Sequence, residues 1–163
     1  MNRMKQFLLI IFFSVYSSVA YCCSCIGEAT VRQELKRSDV VFTGKVISKK
    51  VIDTKSPTDK LMQGLKMYMA EYKLQVSTVF KGKIKQDTVT IITGVGGGDC
   101  GFNFEIGNEY IVYSSLKNKY YPQGNSVSKF LYTDICRRTR LATDTEEIKA
   151  LSKKCKNRKA TSL

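Results

Sequence analysis

Residues 68–81 read YMAEYKLQVSTVFK, and this stretch decides the fold class. Apolar or weakly polar side chains occupy every second position: Tyr68, Ala70, Tyr72, Leu74, Val76, Thr78 and Phe80. Charged and polar side chains fill the other phase: Glu71, Lys73, Gln75, Ser77 and Lys81. Period-two alternation places successive side chains on opposite faces of a strand, so this pattern predicts a long strand with one buried face.

Four further segments have the composition of strands, with many β-branched and aromatic residues. They are residues 40–47, 88–93, 109–115 and 129–136. Polar residues 48–66 predict a long loop or a hairpin excursion, and residues 94–101 predict a flexible glycine-rich loop. Five short strands favour a mainly β fold built as a small closed or nearly closed barrel, and periodicity leaves a β-sandwich as the alternative.

Two helices flank the predicted strands. Thr30 followed by Gln33 is a capping-box pattern and predicts a short helix over residues 30–37. Asp144 followed by Glu147 predicts a second helix over residues 144–156. The apolar side chains of the second helix recur at helical spacing: Ile148, Leu151 and Cys155.

Composition excludes several classes of enzyme. The chain has 163 residues, a length that suits one domain, and it contains no histidine. Catalytic sites that need histidine, such as Ser-His-Asp triads and HExxH zinc sites, are therefore absent. No pair of carboxylates stands out for acid–base work, so we expect a protein that is not an enzyme and needs no cofactor.

The first 20 residues have the layout of a secretory signal peptide. Arg3 and Lys5 precede the apolar run FLLIIFF at residues 7–13, which is too short to span a membrane. We therefore expect a protein without a membrane span, secreted or periplasmic, in a compartment where its six cysteines can form disulfides. The expected organisation is a signal peptide at 1–20, one domain at 21–140, and a C-terminal helix with a basic tail at 141–163.

The position of cleavage decides which residue begins the mature chain. Small residues are expected three positions and one position before the cut. Ser18 and Ala20 meet this requirement and give a start at Tyr21, which leaves an even six cysteines. Cleavage as late as residue 22 gives a start at Cys23. Cleavage before Cys22, as in a lipoprotein, would place the bulky Tyr21 immediately before the cleavage site, where a small residue is expected.

Several short motifs together resemble the netrin-like domain of tissue inhibitors of metalloproteinases, and more closely its bacterial single-domain relatives. The similarity runs from about residue 22 to residue 140. The motifs are Cys23-Ser24-Cys25, residues 38–46 (SDVVFTGKV), Phe80-Lys81-Gly82, Cys100-Gly101, Gly107 with Tyr110, and Cys136. This resemblance implies a five-stranded OB-type barrel, in agreement with the strand count.

The resemblance also implies a set of disulfides. By the pattern of the family, Cys23 pairs with Cys100 and Cys25 with Cys136. Each disulfide would close a loop of more than 70 residues and contribute roughly 4 kcal/mol in the chain-entropy model. Cys22 and Cys155 are left over; a third disulfide between them is one hypothesis, and free thiols or intermolecular pairing are the other.

Inhibition of a zinc metallopeptidase is the function that the family implies. The α-amine and carbonyl oxygen of an N-terminal Cys23 would chelate the zinc of the peptidase, and Ser24 would enter its specificity pocket. We expect the protein to bind no metal of its own. A chain that starts at Tyr21 or Cys22 could not chelate in this way, because the nitrogen of Cys23 would then be part of a peptide bond.

The net charge of +13 suggests an alternative function. A basic exported monomer could be a non-inhibitory binding module for anionic envelope or extracellular polymers, or for a protein partner. OB barrels often bind single-stranded nucleic acid, but export separates this chain from nucleic acid. Basic residues are concentrated at Lys49-Lys50, near 137–140 and near 153–159, and the simplest interpretation of them is a solvated surface.

Overall fold

The computed structural model describes residues 23, 25, 27–55, 66–96, 98–119 and 128–161. The expected signal peptide, the cleavage positions, Cys22 and Ser24 lie outside these residues. Within these residues, two helices and six strands follow one another. They are α1 (Val31–Arg37), β1 (Val40–Lys55), β2 (Lys66–Lys81), β3 (Thr88–Gly94), β4 (Glu109–Lys119), β5 (Ser128–Tyr132), β6 (Arg140–Leu141) and α2 (Thr145–Thr161).

Five of the strands close into a ring. The order of hydrogen-bonded neighbours is β1-β2-β3-β5-β4, and β4 pairs again with β1 to complete the circuit. Only the β3–β5 pairing is parallel among the described strands; the others are antiparallel. This OB-like ring, with two helices and two disulfides, confirms the mainly β fold class and excludes the sandwich alternative.

Strands β1 and β2 form a hairpin that is longer than the sequence pattern indicated. Pairing begins at Val41 with Lys81 and continues to Lys55 with Lys66. Residues 48–55 and 66, the described part of the segment predicted as a long loop or hairpin excursion, are therefore strands of this hairpin. The strand signal was weak because its side chains are mostly exposed: Val51 is 53% exposed.

The interior of the ring is filled by alternate side chains from its strands, as the period-two pattern of β2 predicts. The buried cluster consists of Val40, Phe42, Val46, Ala70, Tyr72, Leu74, Ile91, Phe104, Tyr110 and Val112. Phe104 comes from the segment between β3 and β4. Its ring packs edge-on against the rings of Tyr72 and Tyr110, and in both pairs the ring centroids are 5.0 Å apart. Such contacts add to the free energy that burial contributes.

A second apolar cluster lies on the other face of β1 and β4. Leu35 of α1 and Leu151 of α2 are both fully buried there. They pack with Val41, Ile111 and Tyr113 of the two strands. The helices therefore cover one outer side of the ring, and the spacing of Ile148 and Leu151 correctly predicted the face that α2 buries.

Helix α1 is closed at both ends by side chains. The Thr30 hydroxyl accepts a hydrogen bond from the backbone N–H of Gln33, and the Gln33 side chain accepts one from the N–H of Thr30, as the capping box predicts. At the other end, Lys81 Nζ donates to the carbonyl oxygen of Leu35 at 2.7 Å and to that of Ser38. A cation at a helix C-terminus is favourable because the carbonyl groups there carry partial negative charge.

Replacing Thr30 with alanine should lower the free energy of unfolding by about 1 kcal/mol, the usual contribution of an N-cap side chain. Chemical denaturation monitored by circular dichroism measures this change. Arg32→Ala, at an exposed position of the same helix, is the matched control and should change stability by less than about 0.5 kcal/mol. Equal losses in the two variants would contradict the capping role of Thr30.

The end of the chain departs from the prediction in three details. Strand β5 ends at Tyr132, short of Cys136, because Asp134 turns the backbone. The two-residue strand β6 pairs with β4 and is too short to leave a periodic pattern. Helix α2 continues to Thr161, five residues beyond the predicted end.

Neither described helix combines the length and apolar character that crossing a membrane requires.

Candidate functional site

The site is built around the N-terminal edge, which we define as residues 23–25. The structure joins Cys23 to Cys100 and Cys25 to Cys136, the two pairs that the family resemblance implies. Their Cα atoms are 5.6 Å and 5.2 Å apart. The edge is therefore attached at two positions to two separate connecting segments, the loop after β3 and the turn after β5.

The loop after β3 is organised by one carboxylate. The two oxygens of Asp99 accept hydrogen bonds from the backbone N–H groups of Val95 at 2.6 Å, Gly96 at 2.8 Å and Gly101 at 3.0 Å. Residues 94–101 were predicted as a flexible loop, and their described part instead folds around Asp99. The Sγ of Cys23 lies 3.4 Å from the carbonyl oxygen of Gly98, so the edge rests directly on this loop.

Two glycines allow the loop to close. A Cβ on Gly101 would overlap the backbone of Gly94, and a Cβ on Gly94 would lie 2.5 Å from the Asp99 carboxylate. Cys100, between Asp99 and Gly101, has a φ of 57°, a left-handed conformation that is uncommon for residues other than glycine. Gly94 and Gly101 are thus required by close approach beside the disulfide, to the Asp99 carboxylate and to the backbone respectively.

The turn after β5 supports the other cysteine. Asp134 Oδ1 accepts a hydrogen bond from the N–H of Cys136 at 2.9 Å. The neighbouring N–H of Ile135 donates to the carbonyl oxygen of Cys100 at 3.0 Å, which links the two supports of the edge to each other. Arg37 of α1 donates to the carbonyl oxygen of Cys136 at 2.9 Å.

A buried carboxylate holds α1 against the same turn. Glu34 is fully buried and pairs with Arg137 at 3.1 Å, with Arg37 as a second cation. Ser38 Oγ donates to the same carboxylate at 3.3 Å. A buried charge is tolerated only when it is paired and hydrogen-bonded, and these partners meet that requirement.

A second buried network connects α2 to the sheet and to the residues that follow the edge. Glu147 of α2 accepts hydrogen bonds from Tyr113 of β4 and from Arg138, whose Nε donates at 2.9 Å. Arg138 Nη1 also donates to the carbonyl oxygen of Ala29 at 2.7 Å and lies 3.1 Å from Glu28. The guanidinium of Arg138 thus joins the C-terminal helix α2 to the segment that precedes α1.

The charges of this network perturb one another. Burial, together with the hydrogen bond to Glu147, raises the pKa of Tyr113. The hydrogen bond to Glu147 raises the pKa of Arg138. Burial alone would raise the pKa of Glu147, but hydrogen bonds from Arg138 and Tyr113 outweigh it and hold that pKa below its ordinary value. Arg138 and Glu147 are therefore a charged pair at neutral pH.

Sequence reasoning missed this network. The arginines near residues 137–140 were interpreted as a solvated basic surface, but Arg137 and Arg138 pair with buried acids and Arg140 pairs with Glu28 and Asp144. Asp144 does cap α2 by accepting from the N–H of Glu147 at 3.0 Å. The Asp144–Glu147 spacing was a signal for that helix start, and no local pattern indicated that the Glu147 carboxylate turns inward.

Cys155, the fifth cysteine that the structure describes, lies on α2. Cys155 forms no disulfide with any residue that the structure describes, and its thiol donates a hydrogen bond to the carbonyl oxygen of Phe80 at 2.9 Å. Its hypothetical partner Cys22 is outside the described residues, so that disulfide stays a prediction.

Fold and site together define a disulfide-anchored OB-like module of the netrin type. The sequence model described as tissue inhibitor of metalloproteinase matches residues 21–140. The chain belongs to that family. No curated protein matches the sequence.

Proposed function

We propose that this protein inhibits a zinc metallopeptidase through its N-terminal edge and that it is not an enzyme. The α-amine and the carbonyl oxygen of Cys23 would bind the zinc of the peptidase, and Ser24 would enter the specificity pocket. The observation that carries the proposal is the attachment of Cys23 and Cys25 to two linked supports, the Asp99-organised loop and the turn after β5.

Rigid attachment matters because binding must order the groups that make contact. A loose N-terminus would lose conformational entropy on entering an active site, whereas an edge held by two disulfides has already lost most of it. The chemistry is also suitable. An α-amine has a pKa of about 7.7–8.0, so zinc can displace its proton near neutral pH, and a catalytic zinc keeps one ligand position open.

Apolar side chains beside the edge support contact with a protein partner. Val95 is 41% exposed and Ile135 is 45% exposed. Val95 donates its N–H to Asp99 and Ile135 donates to Cys100, so both belong to the supports of the edge. Exposed apolar groups next to a rigid projecting segment are suited to burial against another protein.

The proposal requires that the mature chain begin at Cys23. Cleavage after residue 22 would release the chelating amine and would leave five cysteines in the mature chain, one of them without an intramolecular partner. A start at Tyr21 or Cys22 is incompatible with chelation by Cys23.

The alternative is a non-inhibitory exported module that binds an anionic polymer or a protein. Exposed lysines on the β1–β2 hairpin favour it, among them Lys45, Lys50 and Lys73. The arginine cluster cannot supply this charge, since its members are paired with acids. Binding of this kind would weaken as salt is added and would not depend on the N-terminus.

Adding one alanine before Cys23 should raise the inhibition constant by at least about a hundredfold, which corresponds to about 2.7 kcal/mol. The extension converts the α-amine into an amide nitrogen that cannot bind zinc. The measurement is hydrolysis of a fluorogenic peptide by a panel of purified zinc endopeptidases, with the chain that starts at Cys23 as reference.

The matched control for this test adds one alanine after Leu163 and should leave inhibition unchanged. Equal inhibition by both extended chains would reject chelation by Cys23. Salt-sensitive binding to heparin that is the same for all three chains, without inhibition, would support the alternative function.

A further inference from the structure

Helix α2 lies outside the residues that match the family, yet hydrogen bonds through Arg138 connect it to the segment that precedes α1. The match ends at residue 140, and α2 spans Thr145–Thr161. Glu147 in its first turn is 4% exposed and pairs with Arg138. Packing of Leu151 against the outer face of the sheet accounts for the attachment of α2 without any charge. The buried ion pair therefore calls for a separate explanation.

Arg138 uses opposite parts of its guanidinium for two tasks. Nε and Nη2 face Glu147, and Nη1 faces the carbonyl oxygen of Ala29 and the carboxylate of Glu28. Because Glu147 is held by Tyr113 and by the packing of α2, it fixes the plane of the guanidinium. The direction of Nη1, and with it the position of Ala29, follows from that plane.

Ala29 belongs to the lead-in segment, residues 27–30, which connects the N-terminal edge to α1. Gly27 donates its N–H to the carbonyl oxygen of Cys25 at 2.9 Å, so the segment is continuous with the edge. The disulfide from Cys136 holds Cys25, and Arg138, two residues further on, holds Ala29. The disulfide and the hydrogen bond from Arg138 therefore hold the chain on either side of residue 27.

We propose that Arg138 and Glu147 are positioning residues for the N-terminal edge, and that α2 thereby sets the affinity for the metallopeptidase. The inference rests on the proposed inhibitory function. The carboxylate of α2 orients the guanidinium, the guanidinium holds the lead-in segment, and the lead-in segment fixes the direction in which the edge projects.

Glu147→Gln tests this arrangement because it removes the charge and keeps the shape of the side chain. Amide hydrogen exchange at residues 27–30 should become at least about tenfold faster, as expected when local opening becomes easier. The dissociation rate of the complex with a metallopeptidase should rise by about tenfold while the association rate changes little, as is usual for interface variants. Glu146→Gln, next to it on the exposed side of α2, is the matched control and should change neither.

A second variant keeps the test independent of global stability. Glu28→Gln alters a side chain that is 64% exposed, so the fold should persist, and the lead-in amides should still exchange faster than in the Glu146→Gln control. Unchanged exchange at residues 27–30 in both Glu147→Gln and Glu28→Gln would overturn the positioning role. If the unmodified chain inhibits no peptidase, the proposed function fails, and the exchange measurement still decides whether α2 positions the edge.

Discussion

Replacing both Cys25 and Cys136 with serine should lower the free energy of unfolding by about 4–5 kcal/mol in the chain-entropy model. The two residues are separated by 111 positions, and their disulfide restricts most of the unfolded chain. In the folded state this disulfide also holds the edge against the turn after β5. Guanidinium denaturation of the oxidised proteins, followed by circular dichroism, measures the loss.

Cys155→Ser is the matched control for that experiment. It makes the same chemical change at a cysteine that forms no disulfide among the described residues, and serine can still donate a hydrogen bond to the carbonyl oxygen of Phe80. We expect a change below about 1 kcal/mol in the control, as for most single substitutions away from buried networks. A double variant no less stable than this control would show that the disulfide does not stabilise the fold.

Arg138→Met should destabilise the protein by about 3–5 kcal/mol, the usual result of removing one partner from a buried ion pair. Methionine preserves much of the apolar stem but leaves the Glu147 carboxylate, 4% exposed, with Tyr113 as its remaining side-chain donor. The carbonyl oxygen of Ala29 also loses its guanidinium donor. Thermal and chemical denaturation at neutral pH measure the change.

The control is Arg140→Met, two residues away. Arg140 also pairs with two acids, but its side chain is 31% exposed and those of Glu28 and Asp144 are 64% and 35% exposed. Solvent screens such pairs, so the control should lose less than about 1 kcal/mol. The double variant Arg138→Met with Glu147→Leu should recover part of the loss, because no buried charge is then left unpaired. Equal losses for the two arginine variants would refute a special role for Arg138.

Much of the fold could be predicted because its signals are local. The alternation of β2, the capping box of α1 and the apolar spacing of α2 each depend on residues a few positions apart, and the structure confirms each of them. The second half of β1 was harder to predict, since its side chains are exposed and its pairing partner lies across the hairpin. Strand β6 is a two-residue pairing with no periodicity of its own.

The candidate site could be predicted only in part. Cysteines at 23, 25, 100 and 136 identify the edge and its supports through the resemblance to the family. Asp99 lies in a segment predicted only as a flexible loop, although its carboxylate organises the loop that carries Cys100. The basic run near residues 137–140 had the composition of a solvated surface, and its acidic partners lie on α1, the lead-in segment and α2.

The sequence by itself determined the class of fold, the helix start at Thr30 and the cysteine pattern, because these depend on composition and on the spacing of near neighbours. Only the tertiary structure decided that Arg138 meets Ala29, 109 positions away, and that Tyr113 meets Glu147. Contacts between distant residues form when the ring closes and the helices pack, and no local periodicity records them. For this reason the support of the N-terminal edge by the C-terminal helix became visible only in three dimensions.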